Sequence, residues 1–277
     1  MTASTGTSTR DSTGVAGIGH VFEHRLLTYR RTFRASLFSS FLTPALFLAA
    51  MGLGIGGYVD RGGVNPALGG VPYIAFLAPG LLVSSAMQAA SFEATFPIIA
   101  GLVWNRIYHA MYATPITPRD VALGNILWFA ARLLLITTIF TAIIVAFGAA
   151  VSPMIIFAIP VAILTGLAFA TPIAAFSATQ RTPDRFAAIF RFGITPLFLF
   201  SGTFYPIDSL PAFVQPLAWV TPLYHGVVLA RGFALGTFGT ASLPPTEALL
   251  HVAVLLTFIV VGTFATIRTV SAKLVRG

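Results

Sequence analysis

Leu133 to Val151 reads LLLITTIFTAIIVAFGAAV, nineteen residues without a charge. A helix rises about 1.5 Å per residue, so roughly 20 such residues are what it needs to cross a hydrocarbon core about 30 Å thick. The stretch shows no apolar/polar alternation, which a membrane β-barrel strand would require. An α-helical span is therefore the reading from which the rest of the chain is interpreted.

Five further apolar runs flank it. In chain order the expected spans are Leu37 to Tyr58, Tyr73 to Ile99, Val121 to Val151, Pro153 to Ala178, Ala187 to Phe204 and Ala248 to Ile267. Prolines 44, 97, 160, 172 and 196 fall inside these runs, where neighbouring helices can satisfy the backbone groups they free. The composition agrees: 56% of the 277 residues are hydrophobic and 9% charged, against about 45–50% and 25% in soluble domains. The fold class is all-α integral membrane, one six-span domain over residues 37–277. It is preceded by a disordered polar N-terminus (1–16) and an amphipathic helix (17–36). Cysteine is absent, so thiolate metal sites and disulfides are excluded.

The net charge of +8 does not indicate nucleic acid, because of where the charges sit. If both ends share one side, fourteen of the sixteen basic residues fall there. They are Arg10, Arg25, Arg30, Arg31, Arg34, Arg106, Arg119, Arg132, Arg181, Arg185, Arg191, Arg268, Lys273 and Arg276. Only Arg61 and Arg231 fall opposite. Positive charge gathers on the cytoplasmic side, so both termini are expected there. Arg132 is placed at the cytoplasmic boundary with its helix extending below. Residues 205–246, interrupted by Gln215, Pro216, Pro222, His225 and Arg231, are expected to dip into the outer face and return rather than cross.

Phe22, Leu26, Tyr29 and Phe33 make one helical stripe before the first span, while Arg30, Arg31 and Arg34 occupy other faces. That pattern suits a short helix in the interface plane, attracted to anionic lipid. Between spans two and three, Thr114-Pro115 and Thr117-Pro118 break the chain. A short helix near 101–113 and a fresh start with Asp120 in its first turn are expected.

Phosphate-loop, zincin and nucleophile-elbow motifs are all missing. The five histidines are scattered, and no metal site is expected among them. Glu93 is the clear acid within a span, with Gln88 just over one turn before it. A partner such as Arg34 or Arg191 is expected, since a lone charge at that depth is costly.

Two segments carry a family resemblance: YHAMYATPITPRDVALGNILWFAAR (Tyr108 to Arg132) and PLFLFSGTFYPIDSLPAFVQPLAWVTPLYHGVVLAR (Pro196 to Arg231). Together they resemble the type-2 ABC transporter permeases, closest to the nodulation-type lipo-oligosaccharide exporters and the drug-resistance permeases. The resemblance implies a non-catalytic permease in a bacterial plasma membrane. It would pair with a second permease copy and two copies of a separate ATPase that binds the ATP and Mg; no cofactor is expected in this chain. It also implies that 101–118 is the coupling helix, with Asn105, Arg106, Tyr108, His109, Tyr112, Thr114, Pro115, Arg119 and Asp120 as its residues. The interface helix would contribute Phe22, Arg25, Leu26, Tyr29, Arg30, Phe33 and Arg34. A pathway and outer gate would use Gln88, Glu93, Phe198, Phe200, Phe204, Tyr205, Pro206, Tyr224 and His225. Phe92, Phe96, Phe198 and Phe200 suit a lipid-like, glycolipid or drug-like cargo. Two rivals stand beside it, a polytopic enzyme transferring an acyl or glycosyl group and an ion-coupled secondary transporter. The first lacks clustered outer-face acids, and the second lacks an inverted repeat.

Overall fold

A computed structural model describes residues 14–63 and 66–276; Arg10 and the N-terminal polar tract through residue 13 lie outside the described residues. The helices in chain order are α1 (Val15–Phe47), α2 (Gly56–Val59), α3 (Tyr73–Glu93), α4 (Phe96–Ile99), α5 (Ile107–Tyr112), α6 (Pro118–Ala146) and α7 (Ala158–Thr179). They continue with α8 (Asp184–Ala188), α9 (Thr195–Phe200), α10 (Gln215–Trp219), α11 (Pro222–Ala234) and α12 (Pro245–Arg276). Wider π turns, Leu48–Ile55, Ala100–Trp104 and Ile189–Ile194, join α1 to α2, extend α4, and join α8 to α9. Among the described residues no strand forms, only one isolated bridge between Phe238 and Leu243.

Five stretches are long and apolar enough to cross a membrane: Leu42–Gly62, Tyr73–Trp104, Pro118–Ala146, Pro153–Thr179 and Pro245–Arg276. The expected fifth run, Ala187 to Phe204, is not among them. It is helical from Asp184 to Phe200, about 25 Å, and stops at Ser201 and Gly202, whose φ of 81° suits a residue without Cβ. The amphipathic segment also differs from expectation. It is not a separate short helix but about the first six turns of α1, which runs without interruption into the first apolar run.

The reason is the packing of α1 on α6. Gly17 meets Asp120, Val21 meets Gly124, Phe22 and Arg25 meet Trp128, and Tyr29 meets Arg132. The two helices therefore run parallel with a constant offset. A Cβ at Gly124 would lie 2.6 Å from Val21 Cβ, so the close approach depends on glycine. Half of the stripe is consequently spent on protein: Phe22 and Tyr29 are partly buried, while Leu26 and Phe33 remain exposed.

Helix α7 is the hub, touching α3, α6, α11 and α12. Burial ranks the spans: 78% of the apolar window of α3 and its extension is buried, against 22% for α12. The exposed Leu249, Leu250, Val260, Val261 and Phe264 of α12 are what a lipid-facing helix presents. Where α12 crosses α7, a Cβ at Gly262 would press on Pro172, and the Thr266 hydroxyl donates to Thr171 O at 2.7 Å.

Both ends of the described chain reach one end of the bundle. The start of α1 lies on the start of α6, and the C-terminal part of α12 packs against α5. At the opposite end Asp60 accepts from the Tyr73 N–H at 3.1 Å, capping α3, and Ser152 N–H donates to Ala234 O at 3.0 Å.

Arg231 of α11 lies where that opposite end is tied together. Its guanidinium sits 3.7 Å from the centre of the Phe76 ring and donates to Phe76 O, Gly202 O and Thr203 O. Three carbonyls on two segments are thus held by one planar fork. Lysine has no such fork, so Arg231→Lys is expected to destabilise the protein by about 2–3 kcal/mol. Thermal unfolding of the detergent-purified variant checks this; an unchanged midpoint would remove the staple role.

Candidate functional site

Glu93 ends α3, and three residues from two other helices converge on its carboxylate. Trp128 Nε1–H donates to Oε2 at 3.1 Å, Arg25 Nη2 donates to the same oxygen at 3.4 Å, and Arg132 Nε lies 3.6 Å from Oε1. Arg132 also donates to the Tyr29 hydroxyl and lies over the Tyr29 ring, 4.3 Å from its centroid. Arg34 and Arg191, the partners expected from sequence, are not the ones the fold uses. The signal for the true partners is present in the spacing: Arg25 and Tyr29 are one turn apart, as are Trp128 and Arg132, so each pair shares a helix face. Which two faces meet depends on the α1/α6 register, and no local pattern encodes that.

The cluster forms one end of a cavity of about 670 Å³ between α1, α3, α6 and α9. Next to Glu93, Arg132 and Tyr29 the lining includes Gln88 and Phe92. Beyond them come Ser85, Leu81, Ile136 and Phe140, and the far end is walled by Phe47 and Phe198 beside Thr43. The polarity is graded: one guanidinium and one carboxylate at one end, mostly aromatic and aliphatic side chains toward the other. Such a space accommodates an amphiphile, head against the charges and tail against the rings.

Of the pathway residues named from sequence, Gln88, Glu93 and Phe198 line this cavity. Phe204 joins it indirectly, its ring 4.9 Å from Phe198 and 6.2 Å from Phe47. Phe96 packs on Phe92 and Phe186 instead. Phe200, Tyr205, Pro206, Tyr224 and His225 are not in the lining. His225 belongs to a different knot, its Nδ1 2.6 Å from Nδ1 of His251, with Tyr224 against both rings. One of the two imidazoles donates and the other accepts, which ties α11 to α12. Glu247 lies 3.9 Å from the far nitrogen of His251.

Immediately after Glu93 the helix breaks at Ala94 and Thr95, where Thr95 leaves helical geometry, and α4 begins at Phe96 with Pro97 in its first turn. The chain then continues through Trp104 to a second break. Arg106 there is the one non-glycine at positive φ among the described residues, at 49°. A left-handed arginine is uncommon and costs of order 1 kcal/mol, so contacts of the neighbouring residues must hold the turn. Tyr108 does the holding: it is 3% exposed, donates to Asn125 Oδ1 at 2.8 Å, and lies over Gly101, where a Cβ would overlap its ring. Asn125 in turn donates to Val121 O at 2.8 Å.

Tyr108, expected as a contact residue, and Asp120, grouped with the coupling segment, are therefore interior pins. Asp120 closes a capping box with Thr117, accepting from its N–H at 2.9 Å and hydroxyl at 2.8 Å. Asn105, Arg106, Thr114, Pro115 and Arg119 are exposed, with His109 and Tyr112 half-buried beside them. Burial, aided by the charges of Arg106 and Lys273, holds His109 below the usual imidazole range. The helix expected near 101–113 is thus two pieces, the end of the α4 extension and α5, hinged at Asn105 and Arg106.

Comparison with known proteins bears on what this arrangement serves. The profile of the ABC-2 type transporter family matches residues 18–235. "Nodulation protein J" of Sinorhizobium fredii (strain NBRC 101917 / NGR234) is 30% identical over 254 residues, 92% of each chain. That of Rhizobium leguminosarum bv. trifolii is 31% identical over 256 residues, 92% of this chain and 93% of the relative. "Inner membrane transport permease YadH" of Escherichia coli (strain K12) is 25% identical over 175 residues, 63% of this chain and 67% of the relative. With its apolar helices and a match over most of its length, the chain belongs to the ABC-2 type transporter family.

Proposed function

We propose that this chain is the membrane half of an ATP-driven exporter and that the graded cavity is where an amphipathic cargo rests before release. The observation that carries the reading is the cavity itself, with Glu93 and Arg132 at one end and Phe47, Phe140 and Phe198 at the other. Family membership supports transport. The gradient supports a lipid, glycolipid or drug-like molecule rather than an ion or sugar.

In this reading Asp184–Phe200 is the fifth of six spans, α10 and α11 form a re-entrant outer element, and both termini face the cytoplasm. The permease works as a pair of identical chains, served by two copies of an ATPase that binds ATP and Mg. The exposed residues Asn105, Arg106, Thr114, Pro115 and Arg119, with His109 and Tyr112, meet the ATPase. Closure of the ATPase pair pushes α5. The push passes through Tyr108 to α6 and through the α4 extension to the break at Ala94 and Thr95, one residue from Glu93. Movement there separates Glu93 from Arg25 and Arg132 and loosens the headgroup end of the cavity. Phe198 and Phe204 part at the other end to release the cargo.

The test is reconstitution of the chain in nanodiscs with a candidate phosphate-loop ATPase, followed by a screen of amphiphiles for stimulated ATP turnover. Turnover is expected to rise with an amphiphile and only when both proteins are present. If the ATPase turns over identically with and without the membrane chain, the reading is wrong.

A further inference from the structure

A second hollow lies on the other side of the Tyr29 and Arg132 wall. It is a groove of about 380 Å³ between α1 and α6, lined by Phe22, Leu26, Phe33, Trp128, Ala131 and Leu135, with Tyr29, Arg30 and Arg132 as its polar members. Apart from the tyrosine hydroxyl and the Trp128 indole N–H, which is turned to Glu93, every polar side-chain group there is a guanidinium. Among the described residues no carboxylate lines the groove; Glu93 reaches Arg132 from the cavity side. Arg30 is exposed at the rim, and Arg31 and Arg34 follow on the same helix, also exposed.

We propose that this groove is a binding site for an anionic membrane phospholipid, its acyl chain laid along Leu26, Phe33 and Leu135 and its phosphodiester held between Arg30 and Arg132. The groove is apolar with cationic members, and its volume of about 380 Å³ suits one alkyl chain beside one phosphate. Guanidinium pairs with phosphate oxygens in a fork geometry and carries its charge at any physiological pH. The site lies outside the cargo cavity, but it shares Arg132 with it, so a phosphate bound here draws on the same guanidinium that holds Glu93. Lipid occupancy and the Glu93 contact are thereby linked.

Trp128 provides the readout, because it lines the groove and the chain has only two other tryptophans, Trp104 and Trp219. Trp104→Phe together with Trp219→Phe leaves Trp128 as the single emitter. In nanodiscs of unlabelled lipid, brominated phosphatidylglycerol or brominated phosphatidylcholine is titrated at equal mole fraction, with no ATPase present. The phosphatidylglycerol is expected to quench at a several-fold lower mole fraction, and Arg30→Gln to reduce that preference about five-fold. Because Arg30 is exposed, its replacement leaves the fold intact. Equal quenching by the two lipids, no quenching by either, or a preference untouched by Arg30→Gln each overturns the site. These readings are taken on the permease alone, so they stand or fall separately from any exporter role.

Discussion

Deleting Asn105 to His109 is expected to reduce ATP turnover of the reconstituted complex to that of the ATPase alone, while the chain still inserts in the membrane. The deleted residues hold the left-handed Arg106 turn and Tyr108, whose ring packs over Gly101 and whose hydroxyl reaches Asn125. Without Tyr108 a push on α5 has no rigid route into α6. Graded variants separate the two roles of the segment. Tyr108→Phe loses one hydrogen bond, about 1 kcal/mol, and is expected to keep most of the stimulation. Tyr108→Ala empties a buried aromatic site at about 3–5 kcal/mol and is expected to uncouple. Arg106→Glu with Arg119→Glu changes only exposed charge, so it is expected to weaken ATPase binding at an unchanged melting midpoint. Stimulated turnover that survives the deletion would remove the coupling role.

Glu93→Ala is expected to produce the second large effect, through a different physical route. The carboxylate, 19% exposed, is the shared partner of Arg25 and Arg132, which are 14% and 11% exposed. Removing it leaves two guanidiniums facing each other in a poorly hydrated place, and the Trp128 N–H loses its acceptor. Breaking a fully buried pair costs about 3–5 kcal/mol; the residual exposure lowers that to about 2–3 kcal/mol here. At about 1.4 kcal/mol per factor of ten, transport that needs the intact cluster should fall on the order of tenfold or more. Glu93→Gln keeps the shape and one acceptor but not the charge, and should lie between. Adding Arg132→Gln to Glu93→Gln removes one of the two repelling cations, so the double variant should recover part of the melting midpoint. If the double variant is instead additively worse, the pair is not coupled. If Glu93→Ala transports normally, the cluster has no part in handling cargo.

Much of this architecture is legible in the sequence, for a plain reason. Crossing a bilayer imposes a length and a polarity on each segment, and both are properties of contiguous sequence. Runs such as Leu133 to Val151, the proline-marked break before α6 and the capping residue Asp120 are all local. The resemblance in Tyr108 to Arg132 and Pro196 to Arg231 leads to the family that the comparisons establish. Local pattern misleads at three places. The stripe Phe22 to Phe33 looks lipid-facing by periodicity, yet half of it covers α6. The resemblance places Tyr108 and Asp120 among the coupling residues, yet both are buried. Arg34 and Arg191 look like the partners of Glu93, yet neither reaches it.

The sequence by itself thus determined that the chain is an α-helical membrane protein, where most of its apolar segments lie, and which family it resembles. Only the tertiary structure decided that Arg25 and Arg132 flank Glu93, that Arg231 staples three carbonyls, and that a polar-to-apolar cavity lies between α1, α3, α6 and α9. Membrane insertion responds to the summed polarity of about 20 neighbouring residues. An ion cluster instead requires side chains far apart in the chain to meet within hydrogen-bonding reach, and that depends on which helix faces pack. The glycines at 17 and 124 help to set that packing, by steric approach that hydropathy does not measure.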